Sequence, residues 1–129
     1  CGEISSTALW ELKQSKINSE EAYQEMIRVL GAYCADNLRF KVQIGAYKNP
    51  SLFKYQRYIP YGQPEIIKYP DGITRITIGE FKTIAEANAI RNKIIQSGQK
   101  DSWIVSFENG KRMTLQELVD QIIKHQESK

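Results

Sequence analysis

Two polar side chains in otherwise apolar, alternating segments could recognise a ligand. The Gln43 amide both donates and accepts hydrogen bonds, and the Arg75 guanidinium can pair with a carboxylate through two parallel hydrogen bonds. Lys41 adds a second cation close to Gln43. Ordinary surface roles are the alternatives: a solvated strand residue for Gln43, and an ion-pair partner for Arg75.

Sets of residues for catalysis or metal binding are incomplete. The chain has one histidine, so His-dependent triads and His-based metal clusters lack parts. Asp71 and Glu80 could be considered as a glycosidase pair, but they lie at opposite ends of a predicted strand. That separation exceeds the ~5–9.5 Å that the mechanism needs. We predict a binding protein that is not an enzyme and has no cofactor.

The composition suits one small globular domain. Of the 129 residues, 41% are hydrophobic and 26% charged, and the net charge of +3 is too small to favour a nucleic-acid partner. No stretch approaches the ~18 apolar residues of a membrane span.

A predicted strand over residues 40–47 positions Gln43. Apolar and polar residues alternate along it, which is typical of a half-buried strand. The alternation points Phe40, Val42 and Ile44 to the core. It points Lys41, Gln43 and Tyr47 to the opposite face.

A predicted β-hairpin positions Arg75. Its strands cover residues 65–69 and 73–81, and the turn at residues 70–72 joins a proline, an aspartate and a glycine. In the second strand the inward side chains are Ile76 and Ile78, and the outward ones are Ile73, Arg75 and Thr77. A fourth strand over residues 102–107 ends at Asn109-Gly110. It places Trp103 and Val105 beside Gln43 if Ser102 and Ile104 face the core.

Helical periodicity predicts the remaining elements. Helices are expected over residues 4–15 and 18–36, and a short one through residues 52–59. Capping boxes at residues 83–86 and 114–117 open two more, the first ending at Gly98. From residue 38 to 110 the order is β-α-β-β-α-β.

This order predicts an α+β fold of the split-βαβ, ferredoxin- or RNP-like type. Such a fold has a four-stranded antiparallel sheet with two helices on one face. We place a helical extension at residues 1–37, the domain at 38–110 and a C-terminal helix at 111–129. RNA-binding RRM domains share the order, but residues 73–79 lack the aromatic side chains that stack on bases there.

Three motifs in this order resemble the SPOR (sporulation-related) family. Residues 40–47 are similar to its opening strand, in which a glutamine, an apolar residue and a glycine precede an aromatic. Residues 74–81 are similar to its Arg-Val-x-Ile-Gly-Pro-Phe motif, with Glu80 in place of the proline. Residues 98–105 are similar to its last strand.

The resemblance implies binding of peptidoglycan, most often glycan strands whose stem peptides have been removed, on the open sheet face. Such domains direct their hosts to division or wall-remodelling sites in the periplasm or cell envelope. Gln43 and Arg75 match the family's first-strand glutamine and third-strand arginine. Arg75 would bind the lactyl carboxylate of muramic acid, with Lys41 assisting. The other candidates for glycan contact are Tyr47, Trp103 and Ile73, which stands where the family can have an aromatic.

A protein-interaction role is the alternative. The terminal helices would cover the sheet face or form a dimer, and self-association or another envelope protein would replace the glycan as partner. Cys1 could carry a lipid, as in bacterial lipoproteins, or pair with Cys34, which we expect to be a buried thiol. A membrane is otherwise expected only through an anchor outside this sequence.

Overall fold

The computed structural model describes residues 6–14 and 19–127. These residues form, in chain order, α1 (Ser6–Gln14), α2 (Glu20–Leu30), β1 (Leu38–Tyr47), β2 (Pro64–Lys68), β3 (Thr74–Phe81), α3 (Ile84–Gln96), β4 (Trp103–Glu108), β5 (Lys111–Met113) and α4 (Leu115–Glu127). The fold is therefore a mixed α+β one, as predicted from the order of the elements.

The segment between β1 and β2 differs from the single short helix that we predicted. It contains two 3-10 helices, Pro50–Leu52 and Tyr55–Tyr61, and the second continues through Pro60. The prolines favour short helical pieces because proline has no N–H to donate. Tyr58 in the second helix is buried in the core.

The sheet has five antiparallel strands in the order β2-β3-β1-β4-β5. The predicted four-stranded sheet lacked β5. Asn109 and Gly110 both have positive φ values, 53° and 79°, and connect β4 to β5 in a two-residue hairpin turn. Asn-Gly is a strong hairpin signal because both residues tolerate this conformation.

All four α-helices lie on one face of the sheet. Their buried side chains share a single core with the inward residues of β1, β3 and β4. The strand residues in this core are Leu38, Phe40, Val42, Ile44, Ile76, Ile78 and Ile104. The predicted inward side chains are thus confirmed for β3, at Ile76 and Ile78, and for β1 from Phe40 to Ile44.

The terminal helices do not cover the opposite face. Leu9 and Leu12 of α1, and Leu118 and Val119 of α4, are buried in the same core as the sheet's inward face. α1 packs against α2 and α4. The prediction that α1 and α4 cover the sheet face, one form of the protein-interaction alternative, is therefore wrong. Among the described residues, no helix lies on the other face, which is called the open face here.

Capping residues start the helices as expected. Ser19 Oγ accepts the Ala22 N–H, and Thr83 Oγ1 accepts the Glu86 N–H. Thr114 Oγ1 accepts the Glu117 N–H, and the Glu117 carboxylate accepts the Thr114 hydroxyl in return. α2 ends at Leu30, six residues before its predicted end.

The early end of α2 places Cys34 in the connection to β1 rather than in a helix. Cys34 is half-buried and disulfide-bonded, so the expectation of a buried free thiol is wrong. Cys1 lies outside the described residues, so the two predictions for it, a lipid or a disulfide, fall outside them as well. In the described ranges, no helix is long and apolar enough to cross a membrane.

Two irregularities interrupt the β1–β3 pairing. One lies between Phe40 and Val42 and gives β3 an extra residue, and the other lies between Gln43 and Gly45 and gives β1 one. Bulges of this kind bend the strand and increase its twist. Each has a glycine covered by an aromatic ring two residues later, Gly79 under Phe81 and Gly45 under Tyr47.

Replacing Gly79 with alanine is expected to lower the free energy of unfolding by about 1–3 kcal/mol. Gly79 has a φ of +78°, and an added Cβ would lie 2.4 Å from the Phe81 ring. Gly72→Ala is the matched control, because its φ is +82° and nothing lies within 4 Å of the added Cβ. Urea unfolding should show the larger loss for Gly79→Ala; equal losses would mean that the ring contact costs nothing.

Candidate functional site

The open face is built from the side chains of five strands that point away from the helices. One cross-strand row joins Glu65, Thr77, Gln43 and Trp103, and a second joins Phe107 to Arg112 on β5. Opposed residues of an antiparallel pair lie on the same face. Gln43, Lys41 and Arg75 therefore share this face, as the alternation predicted.

Val105 and Phe107 form an apolar floor on the open face. Both are buried, yet neither belongs to the core beneath the helices. Thr77, on the same face, is also buried, at 5% exposure. The Lys41 ammonium lies over the Phe107 ring, so a polar group covers part of this apolar base.

Lys41 lies above this floor. Its Nζ is 3.1 Å from Glu65 Oε1 and 4.5 Å from the centre of the Phe107 ring. Its side chain is 13% exposed. The ammonium is therefore held by one carboxylate and one aromatic face.

Arg75 forms an ion pair within its own hairpin. Its Nη2 is 3.0 Å from Asp71 Oδ2, and its guanidinium lies 4.8 Å from the centre of the Tyr69 ring. The hydrogen bond from Arg75, followed by one from the Ile73 N–H, lowers the pKa of Asp71. Asp71 is thus charged at neutral pH and serves as the ion-pair partner of Arg75.

Gln43 is linked to a residue that sequence reasoning did not select. Arg112 Nη2 donates a hydrogen bond of 3.0 Å to Gln43 Oε1. Burial, and then repulsion from Arg75, lower the pKa of Arg112. Its Nε is buried and has no hydrogen-bond partner among the described residues.

A shallow pocket of about 230 Å³ opens on this face. Its lining includes Arg39, Lys41, Glu65, Tyr69 and Phe107. It is smaller than the ~300–1,000 Å³ of typical small-molecule pockets.

Trp103 stands opposite Gln43 in the pairing but at the free edge of β4. Its ring is 45% exposed and packs edge-on against Tyr23, with ring centres 5.4 Å apart. The Arg91 guanidinium lies 5.4 Å from the Trp103 ring centre. Trp103 therefore borders the open face while its ring contacts residues of the helical layer.

Two predicted site residues are placed elsewhere. Tyr47 was predicted beside Gln43, but the bulge at Gly45 reverses the alternation. Tyr47 pairs with Thr74 and packs on Phe53 at 5.0 Å, and Ala46 takes the place opposite Arg75. The predicted orientation of Tyr47 is wrong because one extra residue turns every later side chain to the other face.

Ile73 lies before β3 rather than in it. Its N–H donates to Asp71 Oδ1, and its carbonyl accepts the Tyr69 N–H. It therefore closes the hairpin turn with its backbone, and the aromatic at this end of the face is Tyr69.

A sequence signal existed for Arg112, the residue of this face that was missed. Asn109-Gly110 predicts a hairpin, so Arg112 could have been placed on a fifth strand. Tyr69 is the last residue before the 70–72 turn and faces Ile73 across it. No group of three His, Cys, Asp or Glu side chains that could hold a metal occurs in the part of the chain that the structure describes.

The open face can make planar hydrogen bonds through Gln43, pair with anions through its cations, and offer apolar and aromatic surface. No curated protein and no solved structure matches the chain significantly. The family model of the SPOR domain matches residues 37–106, which is more than half of the chain and includes β1 to β3 and most of β4. The chain belongs to the SPOR domain family, whose members are binding domains that generally take peptidoglycan as their ligand.

Proposed function

We propose that the open face binds glycan strands of peptidoglycan from which the stem peptides have been removed, and that this binding directs the protein to sites of division or wall remodelling. The observation that carries the proposal is the sheet face left uncovered by the helices, which carries Gln43, Lys41 and Arg75 together, with the Lys41 ammonium over the Phe107 ring.

The groups of such a strand correspond to those of the face. Sugar rings have apolar faces that pack on flat apolar or aromatic surface, such as the half-buried Tyr69 ring. The N-acetyl amide needs both a donor and an acceptor. Removing the stem peptide exposes the lactyl carboxylate of each muramic acid, and that charge favours a face with several cations.

The sequence led to the prediction that Arg75 binds this carboxylate. In the free protein Arg75 is paired with Asp71, whose side chain is 48% exposed. A ligand carboxylate at Arg75 would therefore have to displace Asp71 from the guanidinium.

Sedimentation with sacculi tests this function. We expect the purified protein to pellet with amidase-treated sacculi at physiological salt, and to pellet several-fold less with untreated sacculi that retain their stem peptides. Binding that is equal on the two preparations would remove the preference for denuded strands. A protein that stays in the supernatant with both would contradict the proposal as a whole.

The proposed ligand implies a location in the periplasm or cell envelope of a bacterium. The disulfide at Cys34 supports this, because disulfides persist in oxidising compartments such as the periplasm. Fractionation of cells that produce the full-length protein should recover it with the envelope; recovery in the cytoplasm alone would contradict this location.

A further inference from the structure

The cation best suited to receive a ligand carboxylate is one that the family match does not include. We propose that Arg112 on β5 is the carboxylate-binding residue of the open face, and that its hydrogen bond to Gln43 orients that amide toward the ligand. This inference rests on the proposed function and names the residue that would bind the exposed carboxylate.

The other cations of the face already have acceptors. Lys41 is paired with Glu65, and Arg75 with Asp71. Arg39 donates to the backbone carbonyls of Asp36 and Leu38. Arg112 has no ion-pair partner among the described residues, and its one hydrogen bond goes to the neutral Gln43 amide.

The surroundings of Arg112 favour an added anion. A guanidinium has five N–H donors, and this one uses a single donor within the described chain. Burial and the nearby Arg75 disfavour its charged form more than Glu117 and Asp71 favour it, so the pKa of Arg112 is lowered. A bound carboxylate would satisfy free donors and offset both effects, because arginine and carboxylate match in planar, paired hydrogen bonds.

The same contact settles which way the Gln43 amide points. Arginine can only donate, so the atom of Gln43 that faces Arg112 must be the oxygen. The Gln43 nitrogen is then free to donate to a carbonyl oxygen such as that of an N-acetyl group. Arg112 is therefore a binding residue for the carboxylate and a positioning residue for Gln43.

Arg112 is held in place by the hairpin that follows the family-matched residues. Its backbone pairs with Phe107, and the next residue, Met113, accepts the Ser106 hydroxyl at 2.9 Å. Both bonds tie β5 to β4. The site thus gains its carboxylate receptor from residues after 106, where the family match ends.

The test compares two forms of amidase-treated sacculi, one with free carboxylates and one with carboxylates converted to methyl amides. Wild-type protein should bind the free-carboxylate form about tenfold to a hundredfold more tightly, the range for losing a charge-assisted hydrogen-bonded pair. Arg112→Gln should bind both forms equally and weakly. Arg28→Gln is the matched control, because it removes the same charge from an exposed position on α2 and should keep the preference.

Arg112→Lys is a second variant for the case that Arg112→Gln does not fold. It keeps the charge and the aliphatic part of the side chain but lacks the planar guanidinium. It should fold and show a reduced preference. A full preference in both Arg112 variants would overturn the inference while leaving the proposed function standing. Wild-type protein that sediments with neither amidase-treated nor untreated sacculi would instead overturn the proposed function and this inference with it.

Discussion

Replacing Gln43 with alanine is expected to weaken binding to amidase-treated sacculi by about tenfold or more. Gln43 stands in the middle of the open face, between Thr77 and Trp103 in the cross-strand row. Its loss removes the amide that would bond the ligand and leaves Arg112 without its hydrogen-bond acceptor. A buried donor left unsatisfied costs ~1–3 kcal/mol, so both the ligand contact and the local order suffer.

Titration of the protein with sacculi, read by sedimentation, measures this effect. Gln56→Ala is the control, because Gln56 is an exposed glutamine of the Tyr55–Tyr61 helix, which packs beside α3 and away from the open face. Thermal unfolding should show that the Gln43 variant is folded at the assay temperature. Unchanged binding by the folded variant would exclude the centre of this face as the ligand site.

Replacing Arg91 with methionine is expected to lower the free energy of unfolding by about 2–4 kcal/mol. Arg91 is 3% exposed, and its Nε donates to the Ser102 carbonyl at 2.8 Å. Its guanidinium lies 4.4 Å from the Tyr23 ring centre and also contacts Trp103. The variant would leave a buried carbonyl unsatisfied where α2, α3 and β4 meet.

The companion variant Glu20→Gln separates the contribution of the Glu20–Arg91 ion pair from that of the buried hydrogen bond and ring contacts of Arg91. Glu20 is 3.4 Å from Arg91 Nη2, but its side chain is 59% exposed. Losing this charge should cost less than about 1 kcal/mol. Urea unfolding of both variants decides the matter: similar losses would mean that the ion pair, rather than the buried hydrogen bond and ring contacts, stabilises this junction.

Local signals in the sequence were sufficient to predict most elements. Period-two alternation identified the inward residues of β1 and β3, and the capping threonines identified the starts of α3 and α4. These signals depend on neighbouring residues alone. They could not show where the terminal helices pack, because that depends on contacts between elements far apart in the chain.

Two of the errors have a common physical origin in the pairing of strands. Alternation cannot reveal that β1 has an extra residue opposite Ile76, since Gly45 has no side chain to show the change of face. Tyr47 was misplaced for that reason. β5 was missed because three residues are too few to show a period.

Candidate residues were easier to place than to rank. The sequence placed Lys41, Gln43 and Arg75 on one face, but it could not show that Glu65 and Asp71 already occupy the two cations. Whether a cation already has an ion-pair partner depends on the geometry of side chains that lie far apart in the sequence or across a turn. Arg112 became the stronger carboxylate candidate only when its surroundings were known.

The packing of α1 against α4 sets the direction in which the protein can be tethered. Both helices lie in the layer behind the sheet, on the side away from the open face. A tether joined to the start of α1 or to the end of α4 would therefore be joined to that rear layer. Pulling on such a tether would load the helical layer first, and the open face would point away from the surface that holds the tether.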